Sequence, residues 1–76
     1  MTLSTFNKIT PHLETLELIW NMNDGGNGRI IFQEIVKLQK EYKPDAKPVD
    51  TGCGSCVTEL FKDVYRHYKL YEKQYI

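Results

Sequence analysis

The stretch from residue 53 to residue 75, CGSCVTELFKDVYRHYKLYEKQY, decides the fold of this chain. Its apolar side chains recur at steps of three and four, so they share one face when successive residues turn by about 100°. They are Val57, Leu60, Phe61, Val64, Tyr68, Tyr71 and Tyr75. A basic stripe follows similar steps on the opposite side, formed by Lys62, Arg66, Lys69 and Lys73. The pattern predicts one long amphipathic helix over residues 55–74.

Two shorter amphipathic helices are predicted upstream. The first covers residues 11–22, because Thr10 offers a capping hydroxyl and Pro11 is well tolerated at the first helical position. The second covers residues 30–43, where apolar residues again recur at helical spacing and Pro44 ends the helix. A glycine-rich turn separates these two helices.

The fold class expected from these patterns is all-α, a small three-helix bundle with a long C-terminal amphipathic helix. A short helical turn over residues 4–9 is expected to pack onto the same core. Residues 1–76 are treated as a single small helical domain, because no repeat or linker interrupts them. The predicted core consists of Leu16, Trp20, Ile31, Ile35, Leu38, Val57, Leu60, Phe61 and Val64.

Charge and hydropathy exclude several classes of partner. Ten Lys or Arg balance ten Asp or Glu, so the net charge is 0 and no global field attracts a polyanion. The longest apolar runs are three residues, far below the roughly 20 that span a bilayer. Charge therefore makes nucleic acid a less favoured partner, and hydropathy predicts no membrane segment; with these set aside, a protein partner remains by default.

The twelve residues from Asn23 to Glu34, NDGGNGRIIFQE, resemble a calcium-binding EF-hand loop. The fifth, sixth, eighth and twelfth positions match and are occupied by Asn27, Gly28, Ile30 and Glu34. The first position is Asn23 instead of aspartate, and Gly25 at the third position offers no side-chain oxygen. Asn23, Asn27 and Glu34 are thus only weak candidates for metal ligands, and we expect no metal here. The favoured interpretation is a glycine-rich turn whose Ile30 packs inward.

Cys53 and Cys56 form a Cys-x-x-Cys pair at the predicted start of the last helix. Two cysteines are fewer than a disulfide scaffold usually has, and the preceding loop is not the strand of a thioredoxin-like site. A zinc site needs four ligands, and His12 and His67 stand at no standard spacing, although a dimer could pool four thiols. The favoured interpretation is that both thiols are small buried hydrophobes.

No catalytic set can be assembled from the chain. His12 and His67 lack a nucleophile or a metal set, and Glu59 and Asp63 are most simply a solvated flank of the last helix. We therefore expect a protein that is not an enzyme and has no cofactor.

Tyrosine is abundant in the last helix, and this residue is favoured where one ring edge is buried and the other is wet. Tyr68, Tyr71 and Tyr75 are the predicted partner contacts. The alternative contact is the basic stripe, Lys62, Arg66, Lys69 and Lys73, which could face an acidic protein or a phosphate backbone.

The order of features resembles small proteins of tailed bacteriophages, including crAss-like phages. The resemblance covers roughly residues 30–72 and rests on VDTGCGSCV, residues 49–57, opening a tyrosine- and lysine-rich helix. The family has no established site residues, so the resemblance implies none here. The resemblance implies a viral protein, most simply an auxiliary capsid or other virion component, located in the virion or the host cytoplasm. Its expected partners are then capsid or other virion proteins. A small regulatory protein acting through its basic helix face is the alternative, followed by a degenerate EF-hand-like metal-binding domain.

Overall fold

A computed structural model describes residues 1–76, which form helices without any strand. The three predicted amphipathic helices are confirmed, and the predicted turn at residues 4–9 forms a fourth helix. They are α1 (Leu3–Ile9), α2 (Leu13–Met22), α3 (Phe32–Tyr42) and α4 (Gly54–Tyr75). The last helix, at 22 residues, is the longest and contacts each of the others.

The junction between α1 and α2 is a 3-10 helix, Thr10–His12, and not a fresh helix start. The Thr10 hydroxyl donates to the carbonyl oxygen of Phe6 at 3.0 Å, so it does not cap α2. The prediction of Thr10 as a capping residue was therefore wrong. The backbone stays helical from α1 into α2. The N–H groups at the start of α2 face the carbonyl oxygens of the preceding helical turn, so they need no side-chain cap.

The end of α2 is set by Asn23, as the sequence predicts. Asn23 adopts the left-handed conformation with φ 55° and ψ 38°, and its N–H donates to the Ile19 carbonyl at 2.7 Å. Asparagine is one of the few residues besides glycine that ends helices in this conformation.

The glycine-rich segment is a packed element instead of a simple turn. Residues Gly25–Ile31 form 3-10 turns with a kink at Gly28, and they lie against both α2 and α4. The Gly25 N–H donates to Thr58 Oγ1 at 2.9 Å within the interior. A Cβ added at Gly28 would lie 2.5 Å from Cζ of Phe61, so the absence of a side chain is what allows this contact.

One cluster of ten buried residues forms the core. Six predicted members are confirmed as buried: Leu16, Ile35, Leu38, Leu60, Phe61 and Val64. Ile31 and Val57 are partly buried against the cluster. Trp20 was wrongly assigned to the core, because it is 40% exposed while the neighbouring Ile19 takes the inner position of α2.

Helix α1 completes the core on the side of α4 that carries the tyrosines. The ring of Phe6 stacks on that of Tyr68, with 4.2 Å between centroids. Since the Thr10 hydroxyl donates to Phe6, the 3.0 Å contact with Tyr68 requires the Tyr68 hydroxyl to donate to Thr10. At the end of α3, Glu41 accepts hydrogen bonds from Thr5 and Lys8, which lower the pKa of its carboxyl group.

Candidate functional site

The residues that resemble an EF-hand loop span the 3-10 segment Gly25–Ile31 and the first turn of α3. Asn27 Nδ2 donates to the carbonyl oxygen of Asp24 at 3.0 Å, and Glu34 lies exposed in the first turn of α3. Ile30 was expected to pack inward and is instead 99% exposed, because the 3-10 turns direct the glycines toward the core. Nowhere does the chain bring together three His, Cys, Asp or Glu side chains that could hold a metal ion.

Cys53 and Cys56 are joined by a disulfide bond, with their Cα atoms 5.2 Å apart. Cys53 is the N-cap of α4, and its Sγ accepts the N–H of Cys56 at 3.2 Å. Cys53 is half-buried and Cys56 is exposed. The prediction of two buried thiols was therefore wrong, because α4 begins at Gly54, just after the loop that carries Cys53, and its first turn lies at the surface.

The tyrosines of α4 do not form one free surface. Tyr68 is buried in the core, and Tyr71 lies half-buried with its ring 5.2 Å from that of Phe6. Tyr75 is exposed and its ring lies 4.7 Å from that of Tyr71. Of the three predicted partner contacts, only Tyr75 is largely open to solvent, because α1 covers the other two.

The basic stripe lies beside an exposed aromatic and apolar cluster. A groove of about 270 Å³ brings apolar and basic side chains together; it is lined by Trp20, Tyr65, Arg66, Lys69, Leu70 and Lys73. The rings of Trp20 and Tyr65 are 5.2 Å apart, and Leu70 is half exposed. We call this groove, together with Lys62, the Trp20 face.

Cations cover the rings of the Trp20 face. Lys62 Nζ lies 5.8 Å from the centre of the Trp20 ring, and Lys69 Nζ lies 5.6 Å from that of Tyr65. Two carboxylates are also present, since Lys69 Nζ is 3.9 Å from Glu17 and 3.5 Å from Glu72. The face thus combines apolar rings with charges of both signs, and the positive charges predominate.

Sequence reasoning found the basic stripe but missed its apolar members. Leu70 stands four residues after Arg66 and three before Lys73, so helical spacing alone places it within the stripe. Trp20 lies about 100° around α2 from Ile19, at the edge of the apolar face. The position of each residue on its own helix could thus be predicted from the sequence. The contact between α2 and α4 that brings them together could not.

Asp63 is the most densely contacted polar side chain, and the expectation that it lies on a solvated flank was wrong. Its Oδ2 accepts hydrogen bonds from Tyr42 at 2.8 Å and from Gln39 at 3.1 Å. Three cationic or titratable side chains lie 3.5–3.7 Å from Oδ1, namely Lys43, Arg66 and His67. The carboxylate is 15% exposed, because α3 and the following residue fold over this flank of α4.

The contacts of Asp63 stabilise its ionised form. Burial alone would raise the pKa of Asp63, but the hydrogen bonds from Gln39 and Tyr42, assisted by neighbouring charge, keep it below its ordinary value. Burial and the same hydrogen bond raise the pKa of Tyr42 well above its ordinary value. His67 Nδ1 donates to the Asp63 carbonyl oxygen at 2.8 Å. The cluster therefore ties α3 to α4.

The lowered pKa of Asp63 predicts acid sensitivity. The ionised carboxylate stabilises the fold above the ordinary pKa of aspartate, about 3.9, and this contribution is lost as pH falls through the lower folded value. Asp63→Asn should cost about 1–3 kcal/mol at pH 7 and flatten the fall in stability between about pH 5 and pH 2. Urea unfolding across this range measures both effects.

Glu59→Gln is the matched control for Asp63→Asn, because it also removes one carboxylate from α4 but at an exposed position. It should change the free energy of unfolding by less than about 0.5 kcal/mol. Equal acid profiles for the Asp63 variant and the unmodified chain would contradict the assignment.

A groove of about 300 Å³ runs beside Cys56, between the end of α3, the following loop and α4. Its charged lining contains three cations and two carboxylates, namely Lys43, Lys47, Arg66, Glu59 and Asp63. Asp63 is already paired with Lys43 and Arg66, so Lys47 and the exposed Glu59 are the charged groups of this groove that form no ion pair.

Comparisons with protein-family models, curated proteins and solved structures found no match to this chain. None of its helices combines the length and the apolar content needed to cross a membrane.

Proposed function

We propose that this protein is a non-enzymatic interaction protein, an auxiliary capsid or other virion component of a tailed bacteriophage. We further propose that it binds a partner protein through the Trp20 face. The viral setting is supported by the resemblance of residues 30–72 to small phage proteins. The use of the Trp20 face is supported by one observation: an exposed tryptophan and leucine lie in a groove bordered by cations.

The composition of the Trp20 face favours a protein partner with an acidic, partly apolar surface. Tryptophan, tyrosine and arginine are the residue types most enriched where interfaces bind tightly, and Trp20, Tyr65 and Arg66 supply one of each. The surrounding lysines complement acidic side chains and direct the orientation of docking. An extended phosphate backbone fits less well, because Glu17 and Glu72 lie among the lysines and the net charge of the chain is 0.

The non-enzymatic assignment is supported by the state of the polar groups. The densest polar cluster, around Asp63, is occupied by contacts between α3 and α4. No hydrogen bond joins either histidine to a hydroxyl or thiol side chain, the pairing that activates such a group as a nucleophile; the one hydrogen bond of either ring runs from His67 Nδ1 to the Asp63 carbonyl oxygen.

Quantitative mass spectrometry of purified particles of the phage that encodes the chain tests the virion assignment. A virion component should be present in many copies per particle and should remain after density-gradient purification. Absence from purified particles would contradict the proposal.

Charge reversal tests the docking surface. Lys62→Glu with Lys73→Glu should lower the affinity of the purified chain for particles that lack it by at least about tenfold, because like charges then face the acidic partner. Lys37→Glu with Lys40→Glu gives the same change in net charge on α3 and should alter binding by less than about twofold. Equal losses in the two pairs would show that the Trp20 face is not the docking site.

A second candidate function, a small regulatory protein of the infected cell, is favoured by the exposure of the basic stripe. Arg66 and Lys73 are exposed, whereas Tyr68 is buried. A regulator would be present in infected cells and absent from particles, and its binding would weaken steeply with salt if its partner were nucleic acid. The particle measurement therefore separates the two functions.

A further inference from the structure

The disulfide between Cys53 and Cys56 lies at the surface, where α4 begins, and its two sulfurs have different surroundings. Cys53 Sγ accepts the Cys56 N–H at 3.2 Å and lies 3.5 Å from the Ser55 hydroxyl. The first turn of α4 contains no acidic residue. A negative charge on Cys53 would thus be held by two donors and by the positive end of a 22-residue helix.

The surroundings of Cys56 favour the approach of a reactant. Cys56 is exposed, and it lines the 300 Å³ groove described above, whose charged groups without an ion pair are Lys47 and Glu59. Cys53 is half-buried, and as the N-cap its sulfur already accepts the Cys56 N–H. The two cysteines therefore differ: Cys56 is the more exposed residue, and Cys53 has the sulfur whose neighbours would stabilise a negative charge.

We propose that the Cys53–Cys56 pair is a site of reversible thiol–disulfide exchange with low-molecular-weight thiols of the glutathione class. The attacking thiol contacts Cys56, and Cys53 is the leaving group. This assignment is independent of the Trp20 face and of the virion role.

The exchange balances in two steps. In the first, an external thiolate attacks Cys56 Sγ, the Cys53–Cys56 bond breaks, and its electron pair passes to Cys53, leaving a mixed disulfide on Cys56. In the second, another external thiolate attacks the external sulfur of that mixed disulfide, which releases the oxidised small molecule and the Cys56 thiolate. Two small thiols are oxidised, and the cysteine pair is reduced by two electrons. A leaving thiolate that is stabilised departs faster, which favours Cys53 in this role.

The start of α4 should remain folded when the disulfide is reduced. The first turn of α4 is also held by contacts that do not involve sulfur: the Val57 N–H donates to the Cys53 carbonyl at 3.0 Å, and the Gly25 N–H donates to Thr58. A Cys53 thiolate can still accept the Cys56 N–H as the N-cap. Reduction should therefore leave the helical circular dichroism unchanged.

Titration of the native chain with buffers of reduced and oxidised glutathione tests the proposal. The two redox forms are trapped by acid and alkylation and counted by mass spectrometry. We expect reversible interconversion without denaturant and, at early times, a glutathione adduct that peptide fragmentation places on Cys56. A pair that stays oxidised in excess reduced glutathione until the chain is unfolded would overturn the site, and an early adduct on Cys53 would overturn the assigned direction of attack.

Two single variants provide the matched controls. Cys56→Ser keeps the Cys53 thiol at the N-cap of α4. Cys53→Ser keeps the Cys56 thiol and places serine, a favoured capping residue, at the N-cap, so both variants should fold. At pH 7, iodoacetamide should alkylate Cys53 in the first variant at least about threefold faster than an unstructured cysteine peptide, because more of it is ionised. A rate equal to or below that of the peptide would contradict the proposed thiolate stabilisation.

Discussion

Replacing Phe61 with alanine should destabilise this protein more than any other single truncation. Phe61 is fully buried, packs edge-on to Phe32 and meets the glycine-rich segment at Gly28. Removal of a buried phenylalanine typically costs about 3–5 kcal/mol, and a chain of this length has a total stability of roughly 4–11 kcal/mol. The melting temperature should fall by roughly 12 °C or more. Urea unfolding followed by circular dichroism measures the loss.

Leu70→Ala is the control for Phe61→Ala, because it truncates a large apolar residue of the same helix at a half-exposed position. It should change the free energy of unfolding by less than about 0.5 kcal/mol. If Phe61→Ala is unfolded at 25 °C, Phe61→Leu should still fold with a loss of about 1–2 kcal/mol. Equal stabilities of the Phe61 and Leu70 variants would contradict the packing of α4 described above.

Gly28→Ala should destabilise the protein by about 1–3 kcal/mol, the usual cost of overpacking. The new methyl group would lie 2.5 Å from Phe61 Cζ and 2.8 Å from Ile19 Cδ1. Both neighbours are fully buried, so neither can move without displacing other core side chains. Thermal unfolding measures the loss.

Gly54→Ala is the matched control, because it is the same chemical change at a position where the added Cβ meets nothing within 4 Å. It should stabilise the protein by about 0.4–1 kcal/mol, since alanine loses less conformational entropy than glycine at a helical position. Gly25→Ala should resemble the Gly28 variant, because its Cβ would lie 2.9 Å from the backbone nitrogen of Thr58. Destabilisation by Gly54→Ala equal to that by Gly28→Ala would show that the loss does not arise from crowding.

Most of the helical content could be predicted because it depends on local patterns. The predicted helix over residues 55–74 agrees with α4 to within one residue at each end. Its apolar residues keep the 3.6-residue helical period without interruption after Cys53 and Gly54, so the pattern alone marks where the helix begins. The end of α2 at Asn23 was also predicted, because the glycines that follow cannot continue a helix at low cost. The start of α2 was not, because helical turns precede it and Thr10 has another hydrogen-bond partner.

The candidate site was predicted less completely than the fold. The basic stripe of α4 follows from spacing alone. Its pairing with Trp20 depends on how α2 lies across α4, and the periodicity of one helix does not report the position of another. The surface position of Cys53 and Cys56 likewise depends on the place where the loop meets α4.

By itself, the sequence determined the helices and their apolar faces, because periodicity, capping and helix-breaking residues act within a few positions of the chain. Only the tertiary structure decided how those faces are used. Helix α1 covers Tyr68 and thereby removes it from the surface. The segment Gly25–Ile31 approaches α4 so closely that its glycines are needed for space as well as for turning. Asp63 is enclosed by side chains from α3 because burial of a charge requires partners that come from elsewhere in the chain.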